Sequence, residues 1–534
     1  MKSVSLFATT AIFLIFCSVT IATNPVNWSF NAQTMGEDVS WNSSPSYIDN
    51  YYTVYQYHWE ITKIEAHAKV LFVWTWIDIS SLLDNVSGDG IHSGPLPATV
   101  LDERIQEGDV GADIEIIVDE NGYGHASVTN VTFGTIQGFT INGIRIEGQI
   151  TVTGTVVKPV RNTNQGTYFT KIQDAINAAN NSDVIIANSG TYLENINFSG
   201  KNITLTSTNP QNSVIVAHTV IRGSSNTTPI VNYQGSETSD CNLVGFTITG
   251  GASEGGIYGN QCSASISFCT LRNNASAFNG SAIRDFDGII SNCTITRNTA
   301  NLSARGGALA DCDGKIANCL IIYNDAYQNS ALYNCNADII NCTIADNTSD
   351  YGAAIDSCNG KIANSIIYYN QPAESVANCP DVSFCCLENY AAGPGNIYGD
   401  PCFVSLTDYH LMSQAGRWNY ANNLWVYDSA TSKCIDAGGA SFSLGDEYTH
   451  ADNIRINMGV YGGTAQASKS PASWSIIADI TNDGIVNFED FAWMAQYFDH
   501  SASGITGDLN RDQSVLLDDL SMMSEKWLQQ TTWY

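Results

Sequence analysis

The chain contains little positive charge. Against 52 Asp and Glu residues stand 22 Lys and Arg residues, which gives a formal net charge of −30. Nucleic acids and anionic membranes are bound through basic patches, so this imbalance argues against both as partners. The stretch from Cys241 to Asn370 holds six of the Lys and Arg residues. An anionic glycan would be repelled there unless calcium bridged the charges.

Histidine and metal-binding cysteine pairs are also scarce. No histidine occurs between His218 and His410, so this long stretch offers no imidazole base for catalysis. No cysteine occurs between Cys17 and Cys241, and no CxxC spacing occurs at all, which makes a zinc site a poor interpretation.

Long apolar runs are absent after the N-terminus, so we expect no transmembrane segment. At the N-terminus, Lys2 precedes an apolar run over 6–17, and Thr20, Ile21 and Ala22 form a small-residue cleavage site. The sequence therefore predicts a signal peptide over residues 1–22 and a chain that is secreted or associated with the cell surface.

A nine-residue phrase recurs five times in the middle of the chain, beginning at Ile266, Ile290, Ile316, Ile339 and Ile362. The copies lie 23 to 26 residues apart, a period typical of solenoids. Aligned copies place like residues in three columns: Cys269, Cys293, Cys319, Cys342 and Ser365; Leu271, Ile295, Ile321, Ile344 and Ile367; Asn274, Asn298, Asn324, Asn347 and Asn370. A second apolar column contains Ile257, Ile283, Leu309, Leu332 and Ile355.

This pattern predicts a right-handed parallel β-helix. Alternating apolar and polar positions rich in Ile, Thr and Tyr indicate short strands, and each coil must stack on its neighbours to bury its apolar face. Apolar and thiol side chains would then lie inside, with asparagine amides hydrogen-bonded along a ladder at a bend. Free, buried thiols are favoured for the ladder cysteines, although a disulfide between coils stays open. The other cysteines are better disulfide candidates, namely Cys379, Cys385, Cys386, Cys402 and Cys434.

The flanking segments resemble pectate-lyase-like β-helix proteins. YFTKIQDAINAANNSDVIIANSGTYLENINFSGKNITL, from Tyr168, resembles their entry coil, in which a short amphipathic helix caps the core. On that helix Ile172, Ala175, Ile176 and Ala179 share one face. GNIYGDPCFV from Gly395 and MGVYGG from Met458 resemble the terminal region of secreted bacterial members. The resemblance covers roughly 160–465, with the β-helix placed at 159–462, and it implies the fold more firmly than an activity.

Residues 23–158 differ in composition from the repeats. Alternating apolar runs separated by turn residues, and tryptophans at 28, 41, 59, 74 and 76, predict an antiparallel β-sandwich-like domain. The aromatic residues fit either the core of this domain or a platform on which sugars stack.

Two twelve-residue segments near the C-terminus, DITNDGIVNFED and DLNRDQSVLLDD, have the oxygen-ligand spacing of calcium-binding loops. The first supplies Asp479, Thr481, Asp483, the Ile485 carbonyl, Asn487 and Asp490. The second supplies Asp508, Asn510, Asp512, the Ser514 carbonyl and Asp519. Gln513 replaces the turn glycine Gly484 of the first loop, and Leu516 cannot ligate, so we expect weaker Ca²⁺ binding at the second loop.

Each loop is followed by a predicted helix, with Phe491, Met494, Ala495 and Phe498 on one face of the first. Tandem units of this kind resemble a type I dockerin, which implies a cohesin-like scaffold protein as partner. The module spans 474–534, and 463–473, rich in Ala, Ser and Gly, is predicted to be a linker. Loop positions ten and eleven, which contribute to cohesin choice in dockerins, are Phe488-Glu489 and Leu517-Asp518 here. They depart from the small hydroxyl pairs common in that family.

The candidate catalytic residues are carboxylates. Asp285 aligns with Asp311 on the next coil, Asp287 aligns with Asp313, and Arg284 flanks them. Stacked acids about 5 Å apart can hold Ca²⁺ or act as acid and nucleophile, but turn aspartates that bond their own backbone give the same pattern. Two function classes follow: a secreted polysaccharide lyase or glycoside hydrolase, or a non-catalytic glycan-binding or structural surface protein.

Overall fold

The computed structural model describes residues 160–447, except 421, and 454–532. Before residue 160 it describes the backbone of the strands between 21 and 156. Apart from Ile21 and Ala22, the predicted signal peptide lies outside the described residues. The chain divides into two compact units, 1–159 with 168–170, and 160–167 with 171–534. No helix in the described part of the chain is long and apolar enough to cross a membrane.

The first unit contains two antiparallel sheets. The larger sheet contains Ile21–Ala22, Val26–Thr34, Tyr52–Val70, Val73–Asp78, Ser87–Ser93, Thr135–Ile136 and Phe139–Val156. The smaller contains Val39–Asn42, Ala98–Glu107, Val110–Val118 and Gly124–Thr132. The predicted strands and their antiparallel pairing are therefore present. Face-to-face packing of the sheets as a sandwich stays a prediction.

The second unit is built around a parallel β-solenoid of roughly nine turns. Its first sheet contains Val160–Asn162, Val184–Ala187, Thr204–Ser207, Asn242–Val244, Ser265–Ser267, Ile289–Ser291, Lys315–Ala317, Asp338–Ile340, Ile362–Ala363 and Val382–Ser383. Its second contains Gly190–Leu193, Thr219–Arg222, Thr247–Thr249, Thr270–Arg272, Thr294–Thr296, Leu320–Ile322, Thr343–Ala345, Ile366–Tyr368, Cys386–Leu387 and Ile397–Tyr398. All neighbouring strands in these two sheets pair in parallel except Val160–Asn162.

Two further solenoid sheets complete the coils. The third contains Ile196–Asn197, Val231–Asn232, Ile257–Cys262, Ile283–Phe286, Leu309–Ala310, Leu332–Tyr333, Ile355–Asp356 and Val376–Ala377. The fourth contains Ala275–Ser276, Thr299–Arg305, Asp325–Gln328 and Thr348–Tyr351. The short strand Thr167–Phe169 also belongs to the first sheet. The predicted β-helix is thus confirmed as a parallel solenoid.

The repeat columns pair in register, as the period predicts. Ile295 pairs with Ile321, and Ile321 with Ile344, and all three side chains are fully buried. At the bend, Asn298 Nδ2 donates to Asn324 Oδ1 at 2.9 Å. The Asn298 backbone N–H donates to the same oxygen at 3.0 Å. Each amide therefore joins one coil to the next, and the predicted asparagine ladder is confirmed.

All fourteen cysteines from Cys241 to Cys434 are free, and twelve of them are buried. The expectation that the five late cysteines lie outside the ladders is wrong for two of them. Cys385 Sγ donates to Ile362 O as Cys342 Sγ donates to Ile316 O, so Cys385 continues the first thiol column past Ser365. Cys379 follows Cys358, because the strands that precede them pair in register. The repeat phrase had diverged too far in these last coils for its register to be visible.

Helix α1 (Ile172–Ala178) closes the first coil. Ile172, Ala175 and Ile176 are fully buried, as the amphipathic pattern predicts. The Glu194 carboxylate accepts hydrogen bonds from the backbone N–H groups of Ile172 and Gln173 at the start of the helix. A second short helix, α2, covers Ser213–His218.

The other end of the solenoid is irregular. It carries two hairpins, Phe403–Ser405 with Asp408–Leu411 and Arg417–Asn419 with Leu424–Val426, and then helices α3 (Phe488–Gln496) and α4 (Leu517–Glu525). Residues 463–473, expected to form a linker, pack against this end: Ala467 and Ser468 are buried, and Ser468 Oγ donates to Leu411 O. Of the predicted apolar face of α3 only Met494 is buried, while Phe491 and Phe498 are exposed. The buried residues of α3 are Asp490, which is also the last residue of the predicted loop, and Met494, one turn later. These two side chains mark the face of α3 that points inward.

Candidate functional sites

The predicted acids on the solenoid lie together, but each has a local bonding partner. Asp285 and Asp311 adopt left-handed backbone conformations, with φ of 56° and 54°. Asn and Asp tolerate this region better than other side chains do. Asp311 Oδ1 accepts a hydrogen bond from Asn334 Nδ2 at 2.6 Å. On the next row, Asp313 Oδ1 accepts bonds from the Asn336 backbone N–H and Nδ2, both at 3.0 Å.

Asp287 is partly withdrawn from solvent and faces a second acid, Asp313. Burial raises its pKa, and the neighbouring charge of Asp313 raises it further. Arg284 does not join the aspartates: its guanidinium lies 4.5 Å from the ring centre of Tyr258 and pairs with Glu254 at 2.9 Å. The hydrogen bonds of Asp311 and Asp313 join equivalent turns of successive coils. Asp287 and Asp313 form a pair of neighbouring acids in this arrangement. A catalytic role for the five residues stays a prediction.

A different row of side chains was missed at the sequence level. Each of the four coils between 283 and 370 has three corners at which a residue other than glycine has positive φ. Two corner rows are occupied mainly by Asn, Asp and Ser, as steric preference predicts, although Phe268 and Phe384 stand at the two ends of the first: Asn292, Asn318, Asn341 and Asn364; Asp285, Asp311, Asn334, Ser357 and Asn378. The third, after the second sheet, contains Arg297, Tyr323, Asp346 and Tyr369, with φ of 53°, 55°, 54° and 61°. We call these four residues the second-corner row.

Bulky residues are unusual in left-handed backbone, and such strain persists mainly where the side chain has a function. Successive strands lie about 4.8 Å apart, so the row spans roughly 14 Å, a length suited to a polymer. The signal in the sequence was the residue immediately before each ladder asparagine. In the first repeat that residue is Asn273, and in the later repeats it is Arg297, Tyr323, Asp346 and Tyr369.

The hairpin over 403–411 forms a wall beside this row. Tyr409 is buried, and its hydroxyl donates to Asp346 Oδ2 at 2.6 Å. Tyr323 donates its hydroxyl proton to Leu406 O. The Phe403 ring centre lies 6.4 Å from that of Tyr369, whose side chain is exposed at the rim.

Two carboxylates on this face, those of Asp346 and Glu388, are partly buried. Burial raises the pKa of Asp346, and the hydrogen bond from Tyr409 opposes that shift. Burial also raises the pKa of Glu388, against backbone N–H groups of Tyr369 and Asn370 that lower it. The charge of Asp346 contributes to the raised pKa of Glu388, so the two acids interact. Glu388 Oε2 is buried without a hydrogen-bond partner among the described residues.

The first predicted calcium loop brings three carboxylates together. Ligand oxygens of Asp479, Asp483 and Asp490 lie within 4.8 Å of one another. Asp479 and Asp490 are buried, and burial raises the pKa of Asp479 to about 7, with the charges of Asp490 and Asp483 adding to the rise. Asp490 Oδ1 also accepts a bond from the Thr481 backbone N–H. Converging carboxylate oxygens at this loop spacing fit Ca²⁺.

The second loop is similar in outline but less converged. Asp519 bridges the Asn510 and Leu516 backbone N–H groups, as Asp490 does in the first loop. Asn510 Nδ2 donates to Asp512 Oδ2 at 3.1 Å, so these two predicted ligands bond each other. Gln513 has φ of 71°, a conformation that glycine adopts with less strain. Among the described residues, only the first loop gathers three acids tightly enough to hold a metal ion.

The comparisons with known proteins give limited matches. A family model described as disaggregatase related matches residues 336–438, about a fifth of the chain. That span contains Asp346, Tyr369 and Glu388. No curated protein matches the chain.

One solved structure with some likeness is the catalytic domain of a GH87 alpha-1,3-glucanase in complex with tetrasaccharides. The identity is 10%, the alignment covers 66% of this chain and 77% of that chain, and the TM-score is 0.18. A likeness at this TM-score carries no argument about the chemistry of the present chain. The strand pairing itself shows a parallel β-solenoid.

Proposed function

We propose that the protein is a secreted polysaccharide-active β-helix protein that cleaves glycosidic bonds at the second-corner row. The observation that carries this proposal is the pair of interacting carboxylates, Asp346 and Glu388, on either side of the exposed Tyr369. Asp346 follows the residue that pairs with Tyr368, so it is adjacent to Tyr369 in register; Glu388 continues the register of Tyr368 on the next coil. Two strand spacings therefore separate the coils that carry the acids, about 10 Å between backbones. An acid and a base on alternate coils can act on opposite faces of one sugar ring, as inverting glycosidases require.

The environments of the two acids favour different roles. Glu388, with a raised pKa and an unpartnered buried Oε2, suits the general acid that donates its proton to the leaving glycosidic oxygen. Asp346, held by Tyr409, suits the base that takes a proton from the attacking water, whose oxygen bonds to the anomeric carbon. Arg297 is exposed at the far end of the row. With so few cations nearby, a neutral polysaccharide or a calcium-bridged uronate is the expected substrate class.

The test is release of reducing ends and of unsaturated products from a panel of glycans, with and without calcium. We expect Asp346→Asn and Glu388→Gln each to lower turnover by about 100-fold or more, since general acid–base groups contribute at least that much. The matched control is the double variant Asp287→Asn with Asp313→Asn, which alters an acid pair at a different corner of the solenoid. If that control lost turnover while the first two variants kept full activity, the active site would instead lie at the residues predicted from the sequence, Arg284, Asp285, Asp287, Asp311 and Asp313.

The second candidate function is non-catalytic glycan binding or a structural surface role. It is favoured by two exposed tyrosines on the fourth sheet, Tyr327 and Tyr351, whose ring centres lie 5.6 Å apart. Exposed aromatic faces offer sugars a stacking surface. Glycan retention in affinity gels that is lost in Tyr351→Ala, with no product from any glycan, would support this function over cleavage.

For the C-terminal module we propose Ca²⁺ as the ligand of the two loops and a cohesin-like scaffold protein as partner. The converging acids of the first loop support the ion. Exposure of both residues at loop position ten, Phe488 at 75% and Leu517 at 70%, supports a docking face. Calorimetry should detect Ca²⁺ binding that Asp479→Ala with Asp483→Ala abolishes. Cohesin binding should weaken in Phe488→Ser with Leu517→Ser while Ca²⁺ binding persists, and a partner indifferent to that change would refute the face.

A further inference from the structure

The C-terminal module and the last solenoid coils share one apolar core. A single cluster of buried side chains includes Phe384 and Ile397 of the coils, Ile435 and Met458 of the irregular end, and Met494 of α3. Ile480, Val515 and Met523 of the module belong to the same cluster. The module is therefore packed as part of the solenoid body.

Two equivalent loop positions tie the module to the solenoid by polar contacts. Asn482, at position four of the first loop, donates from Nδ2 to Gly395 O at 2.7 Å and to Ala437 O at 2.8 Å. Arg511, at position four of the second loop, donates from Nε to Ala440 O at 2.8 Å. Both residues have positive φ, 55° and 64°, and the side chains of both bond backbone carbonyls outside the loops. The two loops thus hold the same short segment, 437–440, from either side.

A buried arginine adds a third tie. Arg455 is 1% exposed, and its guanidinium donates to Asp479 O at 2.7 Å and to Gly438 O at 2.7 Å. Its charge acts on three carboxylates, those of Asp436, Asp479 and Asp490. Together with the nearby Asp483, these acids leave the junction with excess negative charge, which is costly where solvent is excluded.

We infer that the paired-loop module is the C-terminal cap of the solenoid, and that a divalent cation in the first loop stabilises the last solenoid coils as well as the module. The physical reason is linkage. A ligand that binds the folded state stabilises the whole cooperative unit that forms its site. The carboxylate of Asp479 is a predicted ligand of the ion, and its backbone carbonyl accepts a hydrogen bond from Arg455. Asp479 therefore connects the ion site with the end of the solenoid. This inference does not depend on glycan cleavage, but it rests on the Ca²⁺ binding proposed above for the first loop.

Hydrogen exchange of the full chain, with Ca²⁺ and with a chelator, tests the inference. We expect Ca²⁺ to slow exchange in 384–398 and 434–447 by at least about tenfold, in addition to slowing it in 479–532. Asp479→Asn with Asp483→Asn should remove both effects. Protection by Ca²⁺ confined to 479–532 would overturn the cap.

Asn482→Ala separates ion binding from capping, because Asn482 is not a predicted ligand. We expect calorimetry to show retained Ca²⁺ binding while the protection of 384–398 is lost. Arg511→Gln tests the second tie if the first variant folds poorly. Gln496→Ala is the matched control, since its exposed side chain bonds only Ala492 O within α3. Unchanged protection of 384–398 in both tie variants would refute the inference, and glycan turnover has no part in either readout.

Discussion

The repetitive body of the solenoid and its C-terminal end are stabilised in different ways. In the body, Ile321 and Asn324 have equivalents above and below, so each contact is one of a column. At the end, Arg455, Asn482 and Arg511 each make contacts that occur once. Stability in the body is thus distributed over many equivalent residues, whereas the end depends on a few buried polar groups. The comparison predicts how far the loss of stability caused by a single substitution extends in each region.

The largest effect is expected for Ile321→Asp in the body. Ile321 is fully buried between Ile295 and Ile344, so the variant places an unpaired carboxylate in the apolar core. The cost should exceed about 4 kcal/mol, enough to unfold the neighbouring coils. Circular dichroism and limited proteolysis would measure it. A variant with native melting behaviour would contradict the buried column.

Arg455→Met should have the next largest effect. It leaves the Asp479 and Gly438 carbonyls without this donor, and it removes the charge that opposes Asp436, Asp479 and Asp490. We expect a loss of about 3–5 kcal/mol, the range for breaking one side of a buried charge group. Hydrogen exchange should show the loss in 434–447 and 479–532, with the coils around Ile321 unaffected. Arg297→Met, on the surface, is the control and should melt like the unaltered protein.

Asn324→Ala should weaken the body less. It removes the bonds from Asn324 Nδ2 to Asn347 Oδ1 and Ile295 O, and it leaves the Asn298 backbone N–H without its acceptor. The expected cost is about 1–3 kcal/mol for such an unsatisfied buried group. Urea unfolding would measure it against Asn334→Ala, at a corner that the ladder does not use. Equal costs for the two variants would contradict the ladder as a source of stability.

The end of the solenoid should also show a pH dependence. Burial raises the pKa of Asp436 to about 8, the charge of Glu447 adds to the rise, and Arg455 opposes it. Since the folded pKa lies above the unfolded value near 4, the folded state binds the proton more tightly. Stability should therefore fall as pH rises from about 4 to about 8.

Asp436→Asn should flatten this dependence and raise the melting temperature at pH 8, although a smaller effect is expected if Ca²⁺ is bound nearby. Thermal melts at several pH values in chelator would measure it. A steeper dependence in the variant would mean that Asp436 is ionised in the folded protein.

The sequence predicted the body well because like residues stack on like at a fixed period. The columns through Ile295 and Asn298, and the buried face of α1, follow from that rule alone. The convergence of the acids in the first predicted calcium loop also followed from the sequence, since a loop of twelve residues brings its own side chains together. Asp346 was missed because its environment depends on Tyr409, 63 residues further along the chain, folding back over the coils. Glu388 was missed because its coil lies beyond the last copy of the repeat phrase. The contact of Arg455 with the Asp479 carbonyl belongs to no repeat, and no local pattern predicts it.

The closure of both solenoid ends has a consequence for solubility. A parallel solenoid that stops without cover presents unpaired N–H and C=O groups, and such strand edges template pairing with another chain. Helix α1 covers the first coil, and the paired-loop module packs on the last through Phe384 and Ile397. Loss of the module would expose an edge with the register of the next missing coil. Truncated chains should therefore associate in pairs through this edge, because helix α1 still covers the other end of each copy.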